Sequence, residues 1–110
     1  MAFIVKTLGA GTVTQTGSPV DLYTVPDPKS AIVSSVRFAN NDTSNQMTLN
    51  VYVKPSGTTA RRIAKKDHVV AAKGTLVIED AVTLGKGDKI QVNQSGPGTL
   101  DYMVNGLERD

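Results

Sequence analysis

The sequence predicts an all-β fold, an antiparallel sandwich or barrel of about eight short strands. Three observations carry this. Residues 30–40 and 46–55 alternate apolar and polar side chains with the period of two of a half-buried strand. Turn residues recur every 8–12 residues or so between short runs rich in Val, Ile and Thr. No stretch holds the 3.6-residue period of an amphipathic helix.

Taken in order, residues 2–8 form a first strand, with Phe3 and Val5 on one face and Ile4 on the other, and Gly9-Ala10-Gly11 ends it. Such an apolar strand is either pinned to its own sheet or lent to a neighbouring subunit. Residues 11–18 read as a loop or a weak edge strand. Pro19 opens a strand over 20–25, where a missing N–H costs least. Pro26 and Pro28 exclude helix across the corner that follows.

The next strand is the cleanest in the chain. Ile32, Val36 and Phe38 fall on the core face with Ser34 between them, and Val33, Ser35 and Arg37 fall on the other. Asn40-Asn41-Asp42 ends it. After a polar loop at 41–45, Met47, Leu49, Val51 and Val53 face one way and Thr48, Asn50, Tyr52 and Lys54 the other. These two strands are expected to pair as a central β-hairpin. Pro55-Ser56-Gly57 is a turn. Residues 58–66 carry Arg61, Arg62, Lys65 and Lys66 around Ile63 and read as a short, charge-protected edge strand.

Residues 69–72 are short and apolar, and 67–72 have room for one helical turn. Lys73-Gly74 is a turn before a strand over 75–79, with Leu76 and Ile78 inward. Leu84-Gly85-Lys86-Gly87-Asp88 is a matching turn before 89–93, with Ile90 and Val92 inward. Residues 94–98 form an exposed tip. Residues 99–107 close the chain, Leu100, Tyr102 and Val104 alternating with Asp101, Met103 and Asn105.

The 110 residues suit one domain, 1–110, with 1–10 as a possible contact arm or strand. The chain has no Cys, so neither disulfide nor thiolate metal site is possible, which fits a reducing compartment or a particle assembled in one. A net charge of +2 is too small to argue for nucleic acid or a membrane surface. The first residues lack the basic region of a signal peptide, and no apolar run reaches the length of a membrane span.

The chemistry on offer is thin. His68 is the single histidine, and no Gly-x-Ser-x-Gly motif accompanies it, so it reads as a surface or rim residue. The carboxylates are scattered. Glu79-Asp80 could make a weak cation site but reads as strand-end solvation. Gly9-Ala10-Gly11 and Gly85-Lys86-Gly87 lack the full spacing and following helix of a phosphate loop. Asn41-Asp42-Thr43 and Asn93-Gln94-Ser95 match the glycosylation pattern only by coincidence if the chain is not secreted. The basic cluster Arg61, Arg62, Lys65 and Lys66 has no interleaved aromatics for nucleic-acid stacking. A solvated edge or a salt-bridging contact to an acidic protein suits it better. No enzymatic activity, cofactor or metal is expected.

Four fragments together resemble a known group. They are Leu22-Tyr23-Thr24-Val25-Pro26 with Lys29; residues 31–40, Ala-Ile-Val-Ser-Ser-Val-Arg-Phe-Ala-Asn; Ala71-Ala72-Lys73-Gly74-Thr75-Leu76; and Leu84-x-x-Gly87-Asp88-x-Ile90-x-Val92. The chain resembles the small single-domain β-sandwich virion proteins of tailed bacteriophages, which decorate capsids or sit at tail and neck joints. Their pattern is a Tyr-Thr-Val-Pro-x-Gly-Lys corner, an Ile-Val-x-Ser-Ile-Arg-Leu-x-Asn strand and a late Leu-x-x-Gly-Asp-x-Ile turn. The match covers roughly residues 20–107 and departs at Asp27-Pro28, where a lone Gly is usual. These motifs mark a fold rather than a function.

The resemblance implies a non-enzymatic virion structural protein, without fixing its place in the particle, and the expectation adopted within that group is a capsid decoration (cement) protein. It would be a jelly-roll-like β-sandwich and a homotrimer, bound outside the head over joints between major capsid subunits and assembled in the host cytoplasm. Its partners would be the major capsid protein or other virion proteins, with no membrane and no nucleic acid. The expected contacts are Phe3, Ile4 and Val5, the basic edge Arg61, Arg62, Lys65 and Lys66, and the loop residues Asn41, Asp42 and Pro97. Alternatives are a tail, neck or baseplate/fibre component of the virion and, from another class, a carbohydrate-binding module. The last needs exposed aromatics, for which Tyr23, Tyr52 and Tyr102 are the candidates.

Overall fold

A strand with one apolar face must cover that face, and here two sheets cover each other. In a computed structural model, residues 3–14, 18–79 and 81–109 are described, with only the backbone at 3–6. They form ten strands: β1 (Phe3–Val13), β2 (Val20–Thr24), β3 (Ser30–Asn40), β4 (Met47–Lys54), β5 (Arg61–Arg62), β6 (His68–Val70), β7 (Thr75–Ile78), β8 (Val82–Leu84), β9 (Lys89–Ser95) and β10 (Leu100–Arg109). The first sheet has the order β1-β10-β3-β7, with β8 also on β3. The second has the order β2-β9-β4-β5, with β6 also on β4. All pairings are antiparallel. The chain crosses between the sheets from β1 to β4, keeps β5 and β6 beside β4, returns with β7 and β8 to the first sheet, and crosses again at β9 and β10, which is the strand order of a jelly roll. The fold class is therefore the expected antiparallel β-sandwich, with ten strands among the described residues rather than eight.

The core lies between the sheets. Phe38, Met47, Leu49, Val51, Ile90, Val92, Leu100 and Val104 are fully buried there.

Several expectations are corrected. β3 and β4 do not form a hairpin: β3 pairs with β10, β7 and β8, whereas β4 pairs with β9, β5 and β6. Their apolar faces meet across the interior instead, so the connection at 41–46 is an arch between sheets. Asn40, 3% exposed, holds that arch. Its Nδ2 donates to the carbonyls of Asn45, Val70 and Ala71, and its Oδ1 accepts from Asp42 N–H.

β3 also does not keep one phase. Ala31 and Val33 are buried in its first half and Val36 and Phe38 in its second, while Ile32 is 39% exposed. The phase changes at a bulge, where Asn105 opposes Ser35 but Gly106 opposes Val33. Ser34 is the extra residue, and its hydroxyl donates to the Asn105 carbonyl at 3.0 Å. Gly106 is required opposite, because a β-carbon there would collide with the Ile32 carbonyl oxygen.

Gly9-Ala10-Gly11 does not end the first strand, since β1 runs on to Val13 along β10. Gly9 lets it pass the backbone of β2: a β-carbon would sit 2.7 Å from the Leu22 carbonyl oxygen. The β1 backbone is thus pinned to its own sheet. Residues 68–70 are strand rather than a helical turn, and β8 is a strand that periodicity did not mark.

Candidate functional site

The alternation of strands decides what each surface of the sandwich carries. Three regions stand out.

The first is the margin of the second sheet. β5 pairs with β4 through Tyr52 opposite Arg62 and Val53 opposite Arg61. Arg61, Arg62, Lys65 and Lys66 are all exposed. The Arg62 guanidinium lies over the Tyr52 ring, 5.4 Å from its centre. Its Nε donates to Asn50 Oδ1 at 3.1 Å. Asn50 is in turn clamped by Asp67, whose N–H donates to the same Oδ1 and whose Oδ1 accepts from Asn50 Nδ2. None of the four cations forms an ion pair among the described residues.

The second region is one end of the sandwich, where the loops at 41–46, 71–74 and 96–99 meet. Asn41 N–H donates to the Thr99 carbonyl, Lys73 N–H to that of Asp42 and Asn40 N–H to that of Gly74. Asn41 and Pro97 are exposed, as a contact role needs. Asp42 is half-buried and committed to its own loop: Oδ1 accepts from the N–H groups of Ser44 and Asn45. Those bonds hold its carboxyl below the usual carboxylate range.

The third is the outer face of the first sheet, which carries Ile32, Val77 and Met103, each 39–43% exposed. A shallow cleft of about 280 Å³ opens between Ser30, Ile32, Thr83, Leu107 and Arg109. Strict alternation along β3 puts Ile32 in the core, so periodicity alone hides this face. The signal was present in the unpaired step Ser34-Ser35 and in Gly106. The outer face of the second sheet carries Thr48, Asn50, Tyr52 and Lys54 along β4, with Val69 of β6 exposed beside Thr48.

The structure does not bring the expected contacts together. Asn41, Asp42 and Pro97 share one end. The basic margin lies along β5, beyond β4, and β1 lies on the opposite flank of the sandwich beside β2. The side chains of Phe3, Ile4 and Val5 lie outside the described residues, as does Asp80 of the Glu79-Asp80 pair. His68 is half-buried in β6, opposite Leu49. Among the described residues no three His, Cys, Asp or Glu side chains gather to hold a metal. No helix is long and apolar enough to cross a membrane.

The aromatic requirement of a carbohydrate module is not met at Tyr23. This ring is 8% exposed, and its phenol donates to Glu108 Oε2 at 2.6 Å. Lys29 Nζ lies 4.0 Å from Glu108 Oε1. Tyr52 is half-buried with its face under Arg62, and Tyr102 belongs to the other sheet.

No protein-family model matches the chain, and no curated protein matches it. Among solved structures, a chain in the structure of infectious bursal disease virus, Gx strain, aligns with a TM-score of 0.51 at 11% identity, over 97% of this chain and 32% of that one. The likeness is one of fold. A chain from the Gt strain of the same virus aligns over the same shares, also at 11% identity, with a TM-score of 0.41. The present chain spans about a third of the length of these neighbours.

Proposed function

We propose that this protein is a structural component of a virion, of the capsid decoration type, bound outside the head over joints between major capsid subunits. One observation carries the reading: a rigid jelly roll presents two chemically different open surfaces. The first sheet shows Ile32, Val77 and Met103 around Arg37, and the far margin of the second shows cations that form no ion pair among the described residues. A unit wedged between unlike neighbours needs two such surfaces. Weak contacts of this kind hold through symmetric copies rather than through one tight interface. The fold neighbour from a virus structure and the motif resemblance to phage virion proteins support the same reading.

Imaging the parent particle with and without this protein tests it. Heads lacking it should fracture or release their contents at lower temperature, and density for the sandwich should appear over subunit joints. Heads no less stable without it overturn the decoration role. Mass measurement of the purified protein should give a trimer, whereas a six-fold or twelve-fold ring points to a neck or tail position.

A further inference from the structure

We propose that the margin around Arg62 docks a carboxylate-bearing segment of a partner protein, with Arg62 as a pre-oriented fork; this rests on the virion reading above. A free arginine loses much of its rotamer freedom when it binds. Here much of that freedom is already gone. The Tyr52 ring lies beneath the guanidinium, its centre 5.4 Å from the guanidinium carbon, and Asn50 takes Nε from the side. The terminal N–H donors have no partner among the described residues and remain free for two parallel bonds to a carboxylate. Asn50 is a positioning residue. Its orientation is set by Asp67, which spends its carboxylate on Asn50 rather than on Arg62.

Charge makes the choice of partner. Residues 61–66 carry Arg61, Arg62, Lys65 and Lys66 and no acid, and the following Asp67 spends its carboxylate on Asn50, so the margin is cationic on a chain of net charge +2. A carboxylate surface complements it. Nucleic acid is the poorer fit, since single-strand binders add stacking faces and the one aromatic here lies under Arg62.

The test is fluorescence anisotropy with a labelled Glu-rich peptide, its Gln counterpart and a single-stranded oligonucleotide as probes. The Glu peptide should bind in a salt-sensitive way and the Gln peptide should not. Arg62→Lys keeps the charge and removes the fork, and should weaken binding about 10-fold. Asn50→Ala should weaken it several-fold. Lys65→Ala and Lys66→Ala should each cost about 2-fold, and Lys73→Ala, at the loop-cluster end, nothing. The proposal is overturned if the Glu peptide does not bind, if Arg62→Lys binds like wild type, or if the oligonucleotide binds more tightly than the Glu peptide. Co-sedimentation with particles separates the two readings. Wild type and Arg62→Lys binding equally sinks the fork alone. Wild type failing to bind particles while still binding the peptide sinks the virion reading alone.

Discussion

Tyr23 and Glu108 tie the two sheets together. The phenol on β2 donates at 2.6 Å to a carboxylate on β10 that is 3% exposed. Burial and the adjacent carboxylate push the Tyr23 ionisation well above its ordinary range. Tyr23→Phe removes a hydrogen bond to a charged group inside the sandwich and should cost about 2 kcal/mol in urea denaturation at neutral pH. The raised value also sets a pH limb. Its stabilisation is fully present below the ordinary tyrosine value of about 10 and is lost as pH rises beyond it toward the folded value. Wild type should therefore lose more stability than Tyr23→Phe between neutral and strongly alkaline pH. Parallel slopes for the two proteins would refute the link.

Asn40 supplies a different kind of tie. Its amide serves three backbone carbonyls from the ends of two loops. Asn40→Asp is nearly isosteric but points carboxylate oxygen at those carbonyls. It should destabilise by about 3 kcal/mol, as should Asn40→Ala, because buried acceptors lose their donor. Chemical denaturation of both variants is the check.

The phase change in β3 can be read by two substitutions. Val33→Ala should cost about 2 kcal/mol, since Val33 is fully buried. Ile32→Ser should fall within about 0.5 kcal/mol of wild type in the isolated protein. Unbroken alternation in the phase of Val36 and Phe38 would reverse that ranking.

Gly106→Ala places a methyl group against the Ile32 carbonyl oxygen, at the point where the bulge brings two backbones together. It should cost about 3 kcal/mol. Gly85→Ala meets nothing nearer than Asp88 Oδ2 at 3.8 Å, and should change the melting temperature little.

Acid should loosen the loop end first. Asp42 is held below the usual carboxylate range by backbone N–H bonds, and Asp101 by bonds from Asn41 and Thr12. A lowered value gives stability that is present above the ordinary Asp value of about 4 and is lost as pH falls through the folded one. A double variant, Asp42→Asn with Asp101→Asn, should show a shallower acid limb than wild type. Hydrogen exchange at Ser44 and Asn45 should report the same loss locally.

The class of fold and most strand positions follow from local pattern in the chain. Period-two alternation at Met47, Leu49 and Val51 is a local consequence of the pleat, and turn residues such as Asn41, Gly57 and Gly87 punctuate the chain wherever it must reverse. Of the candidate site, the cations at 61–66 were legible from their charges alone. Pairing was not. Two amphipathic strands in succession can lie side by side in one sheet or face each other across two, and β3 and β4 take the second course through the buried amide of Asn40. The bulge at Ser34, which turns Ile32 outward, depends on where Gly106 of β10 lies across the ladder. The support of Arg62 by Tyr52 and Asn50 likewise joins two strands. Each of these outcomes is set by contacts between residues distant along the chain, which alternation within one strand cannot encode.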